Sequence, residues 1–311
     1  MTTAMPMQPD VGGEATDRNG QSTFAKRRPM TAFLLLVFGI GWPALAIPAA
    51  ARLPFAPFLL ALVYLALLLP ALLVSRWADG PGAIRRLLSR TVLWRFSILR
   101  WCVILFGMPV LTLVVAAASG TLETPGSGWA GMTATYLFAT LITGALILNL
   151  WEETAWAGFA QTRLMARRGL LAAALLTALP FAAIHIPLHF EGRWTWAQVW
   201  VGLGTLFVLA PFYRYLLGMH LLDTRGSILA AGIQHAAWNE AQKLDAVSGE
   251  WQVIVAVLVL TGLVAIGRRV WRPNSRPLGT EAEMAAASGW IEQPSRTALV
   301  SRAPRSTETT T

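Results

Sequence analysis

Cysteine and charged residues are both scarce in this chain of 311 residues. Cys102 is the only cysteine, so an intrachain disulfide and a cysteine-ligated zinc site are excluded. Charged residues make up 13% of the sequence and hydrophobic residues 55%, whereas a typical soluble domain is roughly one quarter charged. The sequence also lacks a His-Glu-x-x-His motif, the usual helical zinc-protease signature. This composition is that of a membrane protein.

Long apolar blocks recur with no polar interval long enough for a separate soluble domain. About 20 helical residues cross a ~30 Å hydrocarbon core, so we predict an all-α, polytopic integral membrane protein of about eight transmembrane helices. The predicted spans are 30–51, 55–74, 101–119, 132–164, 170–188, 197–217, 227–244 and 251–267. They define one membrane domain, residues 30–270, between a disordered cytoplasmic N-terminal tail, 1–29, and a disordered C-terminal tail, 271–311.

The basic residues predict the orientation. With Arg214 counted as cytoplasmic, 22 of the 25 Lys and Arg residues fall on one side of the eight spans, and only Arg52, Arg193 and Lys243 fall on the other. Basic residues collect in cytoplasmic loops, so we predict a multi-pass plasma (inner) membrane protein with both termini cytoplasmic. The net charge of +9 reflects this bias and attraction to anionic membrane lipid, and nucleic acid is not expected as a partner.

Two adjacent glutamates interrupt the fourth apolar block, in the stretch "NLWEETAWAGFAQTRL". An acidic residue at the centre of a membrane helix costs about 2.5–3.5 kcal/mol on the insertion scale, with Asp as the proxy. Ionisable residues inside a membrane are therefore candidates for a functional site. Glu152 and Glu153 are such candidates, and the alternative is that they lie at the water interface.

Two other apolar blocks carry polar residues at a similar depth. His185 lies near the end of the fifth span, and His235 and Asn239 lie four apart in the seventh, on one helical face. Counted from the nearest cytoplasmic arginines at ~1.5 Å per residue, the polar groups of the three helices fall within one layer ~10 Å thick. This common depth favours one membrane-embedded site over interface placement of the glutamates.

The ordered set Glu-Glu, Phe-x-x-x-His and His-x-x-x-Asn, on successive membrane helices, resembles the CPBP intramembrane protease family. That family includes CAAX prenyl endopeptidases and bacteriocin-processing or bacteriocin-immunity (Abi-like) proteins, and the resemblance covers about residues 130–245. It implies an intramembrane endopeptidase acting on a membrane-associated peptide or protein. By the same resemblance Glu152 activates water, His185 and His235 bind that water or a metal, and Asn239 holds the oxyanion.

A metal is a further expectation. Neutral imidazoles and a carboxylate are competent ligands of catalytic zinc, in sites that keep one position for water. Glu152, His185 and His235 are thus the predicted ligands of a divalent metal such as zinc.

The sequence departs from the family at residue 157. The family motif continues Glu-Glu-x-x-x-Arg, and here the arginine position is Ala157. An unpaired carboxylate in a low-dielectric site tends to take up a proton, so the sequence predicts that Glu153 is neutral and acts as a hydrogen-bond donor or spacer, with Glu152 the only base. It also predicts that Ala157→Arg is tolerated only when Glu153 is kept.

Two other functional classes stay open from the sequence. The missing arginine favours a catalytically silent relative that acts as a membrane binding or immunity protein. A midplane carboxylate pair would also suit a small transporter that binds an ion or proton, although no inverted repeat is apparent in the sequence. The oligomeric state is not predicted.

Overall fold

The structure is a computed structural model that describes residues 24–271, and the described part is a bundle of helices. Most of the predicted tails, residues 1–29 and 271–311, therefore lies outside the described residues. The α-helices are α1 Phe24–Arg27, α2 Pro29–Ala51, α3 Ala56–Ala61, α4 Leu69–Asp79, α5 Ala83–Ser89, α6 Ile98–Ala118, α7 Gly128–Phe138, α8 Leu150–Glu153, α9 Thr162–Ile184, α10 Trp196–Asp223, α11 Ile228–Ala241 and α12 Trp251–Trp271.

Segments of π-helix and 3₁₀-helix adjoin several of these α-helices. Three π-helical segments, Leu62–Leu68, Ala139–Asn149 and Thr154–Gln161, join α3 to α4, α7 to α8, and α8 to α9. Short 3₁₀ turns follow α5 and α9, at Arg90–Val92 and Ile186–Phe190. Because π-helical turns are rare and cluster at functional sites, the two that flank the four-residue α8 mark this region.

Within residues 24–271, six helices are long and apolar enough to cross a membrane. One of them, Gly128–Phe190, runs for 63 residues, too long for one crossing, and is interrupted at Gly169, whose φ of 75° breaks the helical path. It therefore comprises two crossings. Helix α11 has only 14 residues, about 21 Å at 1.5 Å per residue, and is buried along most of its length. The predicted fold class, an all-α polytopic membrane protein of about eight transmembrane helices, is confirmed, with the seventh helix too short to cross without its neighbours.

Glycines let the central helices approach closely. Helix α11 packs on α6 and on the π-helical segment Ala139–Asn149. A Cβ added at Gly144 would lie 2.7 Å from Ala236 Cβ, and one added at Gly232 would lie 2.7 Å from the Cα of Leu150. Small residues allow such close backbone contact between membrane helices. The segment that carries the two glutamates is thereby pressed against α11.

Arg90 fastens the loop before α6 to this core. Its Nε donates to the carbonyl of Gly226 at 2.8 Å and its Nη1 to the carbonyl of Gly158 at 3.0 Å. The side chain is buried, and burial lowers the pKa of Arg90 to about 10, so the guanidinium stays charged at neutral pH. These two bonds tie α5 to the start of α11 and to the π-helical segment after the glutamates.

The placement of Arg214 corrects one element of the topology reading. Arg214 was counted with the cytoplasmic arginines, but it lies within α10 and is fully buried. The asymmetry of the remaining basic residues is 21 to 3, so the predicted orientation does not depend on it.

Single cysteines test that orientation. The isolated bridge between Leu122 and Val247 joins the loop that holds Gly126 to the loop that holds Glu250, so both loops lie at the same end of the bundle. In a Cys102→Ser background, Gly126→Cys and Glu250→Cys should react with an impermeant thiol reagent in intact cells, because their loops carry few basic residues. Pro81→Cys and a cysteine at residue 300 should react only after lysis. Labelling of residue 300 in intact cells would show an odd number of crossings.

Candidate active site

Glu153 lies in a buried ion pair. Arg214 Nη1 donates to both carboxylate oxygens of Glu153 at 2.9 Å, and neither side chain is exposed to solvent. The Nδ1 atom of His235 is 2.9 Å from Glu153 Oε1. Because a carboxylate with a cationic partner is held in its charged form, Nδ1 is the protonated donor of His235. Glu153 therefore fixes the tautomer of His235.

The prediction that Glu153 is neutral and without a cation is wrong. The cation comes from α10, 61 residues further along the chain, and not from the next turn of the same helix. Ala157 is itself fully buried, so an arginine at this position would need both space and a second counter-charge. The expectation that Ala157→Arg is tolerated when Glu153 is present is therefore withdrawn.

Gln161 and Gly218 hold Arg214 in place. Arg214 Nε donates to Gln161 Oε1 at 3.0 Å, and Gln161 Nε2 donates to the backbone carbonyl of Arg214 at 2.6 Å. One turn further along α10, a Cβ added at Gly218 would lie 2.8 Å from Gln161 Nε2. The absence of a side chain there lets α10 approach the π-helical segment closely enough for this reciprocal pair.

Glu152 has a different environment from its neighbour. Its Oε2 accepts a hydrogen bond from Asn149 Nδ2 at 3.3 Å, whereas its Oε1 is buried and has no hydrogen-bond partner among the described residues. Oε1 lies 3.7 Å from His185 Nε2, and Oε2 lies 3.9 Å from His235 Nδ1. Two adjacent glutamates thus have separate roles, one paired with a cation and one with a free oxygen beside a histidine.

His185 directs its Nε2 atom towards Glu152. It caps α9, and its Nδ1 is 2.6 Å from the carbonyl oxygen of Phe181. A carbonyl oxygen only accepts, so Nδ1 carries a hydrogen, and in the neutral form of the ring Nε2 carries a lone pair. Nε2 and Glu152 Oε1 face each other across 3.7 Å. That separation is too long for a direct hydrogen bond, and a water molecule that donates to both would join them.

Two asparagines complete the polar cluster. Asn239 lies one turn after His235 on α11, and its Nδ2 donates to Asn149 Oδ1 at 3.4 Å. Asn149 in turn donates to Glu152. The sequence reading missed Asn149, although its spacing three residues before Glu152 places both on one face of a helix. The structure thus brings Glu152, Glu153, His185, His235 and Asn239 into one site and adds Asn149, Gln161 and Arg214.

The predicted metal site is the feature of this cluster with the least structural support. The described residues include no group of three or more His, Cys, Asp or Glu side chains arranged to hold a metal ion. Nδ1 of His235 is occupied by Glu153, so only its Nε2 is free to bind. As arranged, Glu152, His185 and His235 do not form a ligand set, and zinc stays a prediction.

Residues 129–241 match the family model described as "Type II CAAX prenyl endopeptidase Rce1-like". The predicted family resemblance is confirmed for this segment. The matched residues contain all five predicted site residues together with Asn149, Gln161 and Arg214. No curated protein matches the chain.

The same substitution should affect the melting temperature differently at the two glutamates. Glu153→Gln leaves the Arg214 guanidinium buried without its counter-charge, and breaking a buried ion pair costs about 3–5 kcal/mol. We expect a lower melting temperature in detergent for Glu153→Gln, and a near-normal one for the matched Glu152→Gln, which leaves no buried cation unpaired.

A double substitution separates the ion pair from other effects of residue 153. Glu153→Leu with Arg214→Met removes both charges and should recover most of the lost stability, since replacing a buried pair by apolar residues is often neutral. Equal melting temperatures for Glu153→Gln and Glu152→Gln would contradict the pairing described above.

Proposed function

We propose that the protein is an intramembrane endopeptidase that hydrolyses a peptide bond of a membrane-associated protein or peptide. The observation that carries this proposal is the gap between two acceptors, Glu152 Oε1 and His185 Nε2, 3.7 Å apart in a buried polar layer. A water molecule bound there would be oriented and polarised by two bases. Water so placed is the nucleophile that peptide hydrolysis requires.

Glu152 acts as the general base. It takes a proton from the water as the oxygen attacks the carbonyl carbon, and a new carbon–oxygen bond forms. The protonated carboxyl then gives this proton to the leaving amine as the carbon–nitrogen bond breaks. Asn149 supports the step, because its hydrogen bond to Oε2 orients the carboxylate and leaves Oε1 free.

The oxyanion of the tetrahedral intermediate is stabilised from α11. Asn239 has two amide hydrogens and gives only one to Asn149, so the other is available to the oxyanion. His235 is held by Glu153 through Nδ1, and Arg214 balances the charge of that carboxylate. Glu153 and Arg214 are therefore positioning residues that fix the His235 ring, and they do not take part in proton transfer.

A divalent metal would supply Lewis-acid activation of the same water. The predicted ligands Glu152, His185 and His235 would have to rearrange to hold it, because as arranged they do not form a ligand set among the described residues. None of the steps above requires it, and a chelator arm in the cleavage assay decides whether zinc contributes.

The alternative of a silent family relative loses its main support. It rested on the missing arginine at Ala157, and Arg214 provides a cation for the same glutamate. No contact among the described residues favours the transporter alternative over hydrolysis.

Cleavage by the purified protein tests the proposal. Probes are a fluorescent peptide with a farnesylated C-terminal Cys-aliphatic-aliphatic-X sequence and its unprenylated counterpart, each with and without chelator. Glu152→Gln, His185→Ala and His235→Ala should each abolish cleavage, and pairs should be no worse than singles, because residues that act as a unit are not additive. Asn239→Ala should cost about 100-fold, the typical loss of an oxyanion donor.

Glu240→Gln is the matched control for these variants. Glu240 follows Asn239 on α11, but it pairs with the exposed Lys243 and should leave cleavage unchanged. Full activity of a folded Glu152→Gln variant would rule out the mechanism, and loss of activity in Glu240→Gln would show that α11 does not tolerate substitution.

A further inference from the structure

A cavity lies away from the polar cluster, at one end of the bundle. It has a volume of about 360 Å³ and is bounded by the start of α6, the end of α10 and the end of α12. This volume falls in the range of small-molecule sites, roughly 300–1,000 Å³. Nothing in the proposed peptidase mechanism uses this cavity.

One wall of the cavity is apolar. Leu260, Leu263 and Val264 of α12 line it, and their spacing of three and four residues places them on one helical face. Leu99 and Val103 of α6, four apart, line the opposite side. Such a wall suits a hydrocarbon chain and offers no hydrogen bonds to a peptide backbone.

Charged side chains also line the cavity. Arg268 forms an ion pair with Asp223 and donates through Nη1 to the carbonyl of Met219 at 3.0 Å, but its buried Nε has no hydrogen-bond partner among the described residues. Arg100 also lines the cavity, and in the described part of the chain its side chain forms no hydrogen bond or ion pair. Two arginines and one aspartate leave a net positive charge beside an apolar interior.

We propose that this cavity binds an anionic glycerophospholipid of the adjacent leaflet, with one acyl chain along α12 and the phosphate at Arg100 and Arg268. Charge complementarity selects this occupant. The cavity offers one arginine without a counter-ion among the described residues, and a second, paired with Asp223, whose Nε has no hydrogen-bond partner there. Each basic residue near an anionic membrane surface adds about 1 kcal/mol of attraction, whereas a zwitterionic headgroup carries no net charge to attract.

Native mass spectrometry of the full chain measures this binding without reference to peptidase activity. Detergent-purified protein is titrated with phosphatidylglycerol and with phosphatidylcholine of identical acyl chains. The first phosphatidylglycerol should bind more tightly. Arg100→Gln should weaken it about fivefold. The matched Arg95→Gln changes an exposed residue of the loop before α6 that does not line the cavity, and it should change the affinity less than twofold.

A cavity-filling variant tests the acyl chain separately. Leu263→Trp places a larger side chain on the cavity wall and should weaken phosphatidylglycerol at least tenfold. Ile266→Trp adds the same group at an exposed position of α12 outside the cavity lining and should bind as the parent does. Unchanged melting temperatures show that all variants are folded.

Three results would overturn the proposal. These are equal affinity for the two lipids, equal effects of Arg100→Gln and Arg95→Gln, and binding that Leu263→Trp leaves unchanged. Displacement of the lipid by millimolar inorganic phosphate would also overturn it, because it would show a simple anion site to which the acyl chain contributes nothing.

Discussion

The ion pair between Glu153 and Arg214, removed from solvent at both ends, is the constraint on which the site depends. A charge buried in a low-dielectric interior is costly unless it is paired and hydrogen-bonded. Here one guanidinium nitrogen donates to both carboxylate oxygens and Nε donates to Gln161. The same carboxylate accepts a hydrogen bond from Nδ1 of His235. The requirement to satisfy these charges therefore joins α8, α10, α11 and the π-helical segment after α8.

This ion pair gives the two adjacent glutamates, Glu152 and Glu153, different roles. The environment of a carboxyl group decides its chemistry, and pairs of acids with unlike surroundings take unlike roles. Glu153 has its charge neutralised by Arg214 and serves to orient a ring. Glu152 keeps an oxygen without a partner, 3.7 Å from the lone pair of His185. Without the pair, both carboxylates would compete for the same histidine and neither would have a fixed state.

The sequence predicted the parts of this arrangement that depend on one segment at a time. Apolar block length predicts a crossing, since the cost of insertion acts on each helix separately, and the common depth of Glu152, His185 and His235 predicted a shared site. The partner of Glu153 depends on packing between helices. Arg214 stands three residues before the end of an apolar block, so a count of loop charges assigns it to the cytoplasm. Asn149 could have been identified from the sequence, because it lies one turn before Glu152.

The local helix type explains why the absence of an arginine at residue 157 led to a wrong prediction for Glu153. On an α-helix, a cation four residues after a glutamate lies on the same face and can pair with it. The segment Thr154–Gln161 is π-helical, with i→i+5 hydrogen bonds and a wider turn, so residue 157 does not stack on residue 153 in the α-helical manner. A cation for Glu153 must then come from another helix, and Gly218 gives α10 the close approach that Arg214 requires. The alanine at residue 157 therefore does not leave Glu153 without a cation.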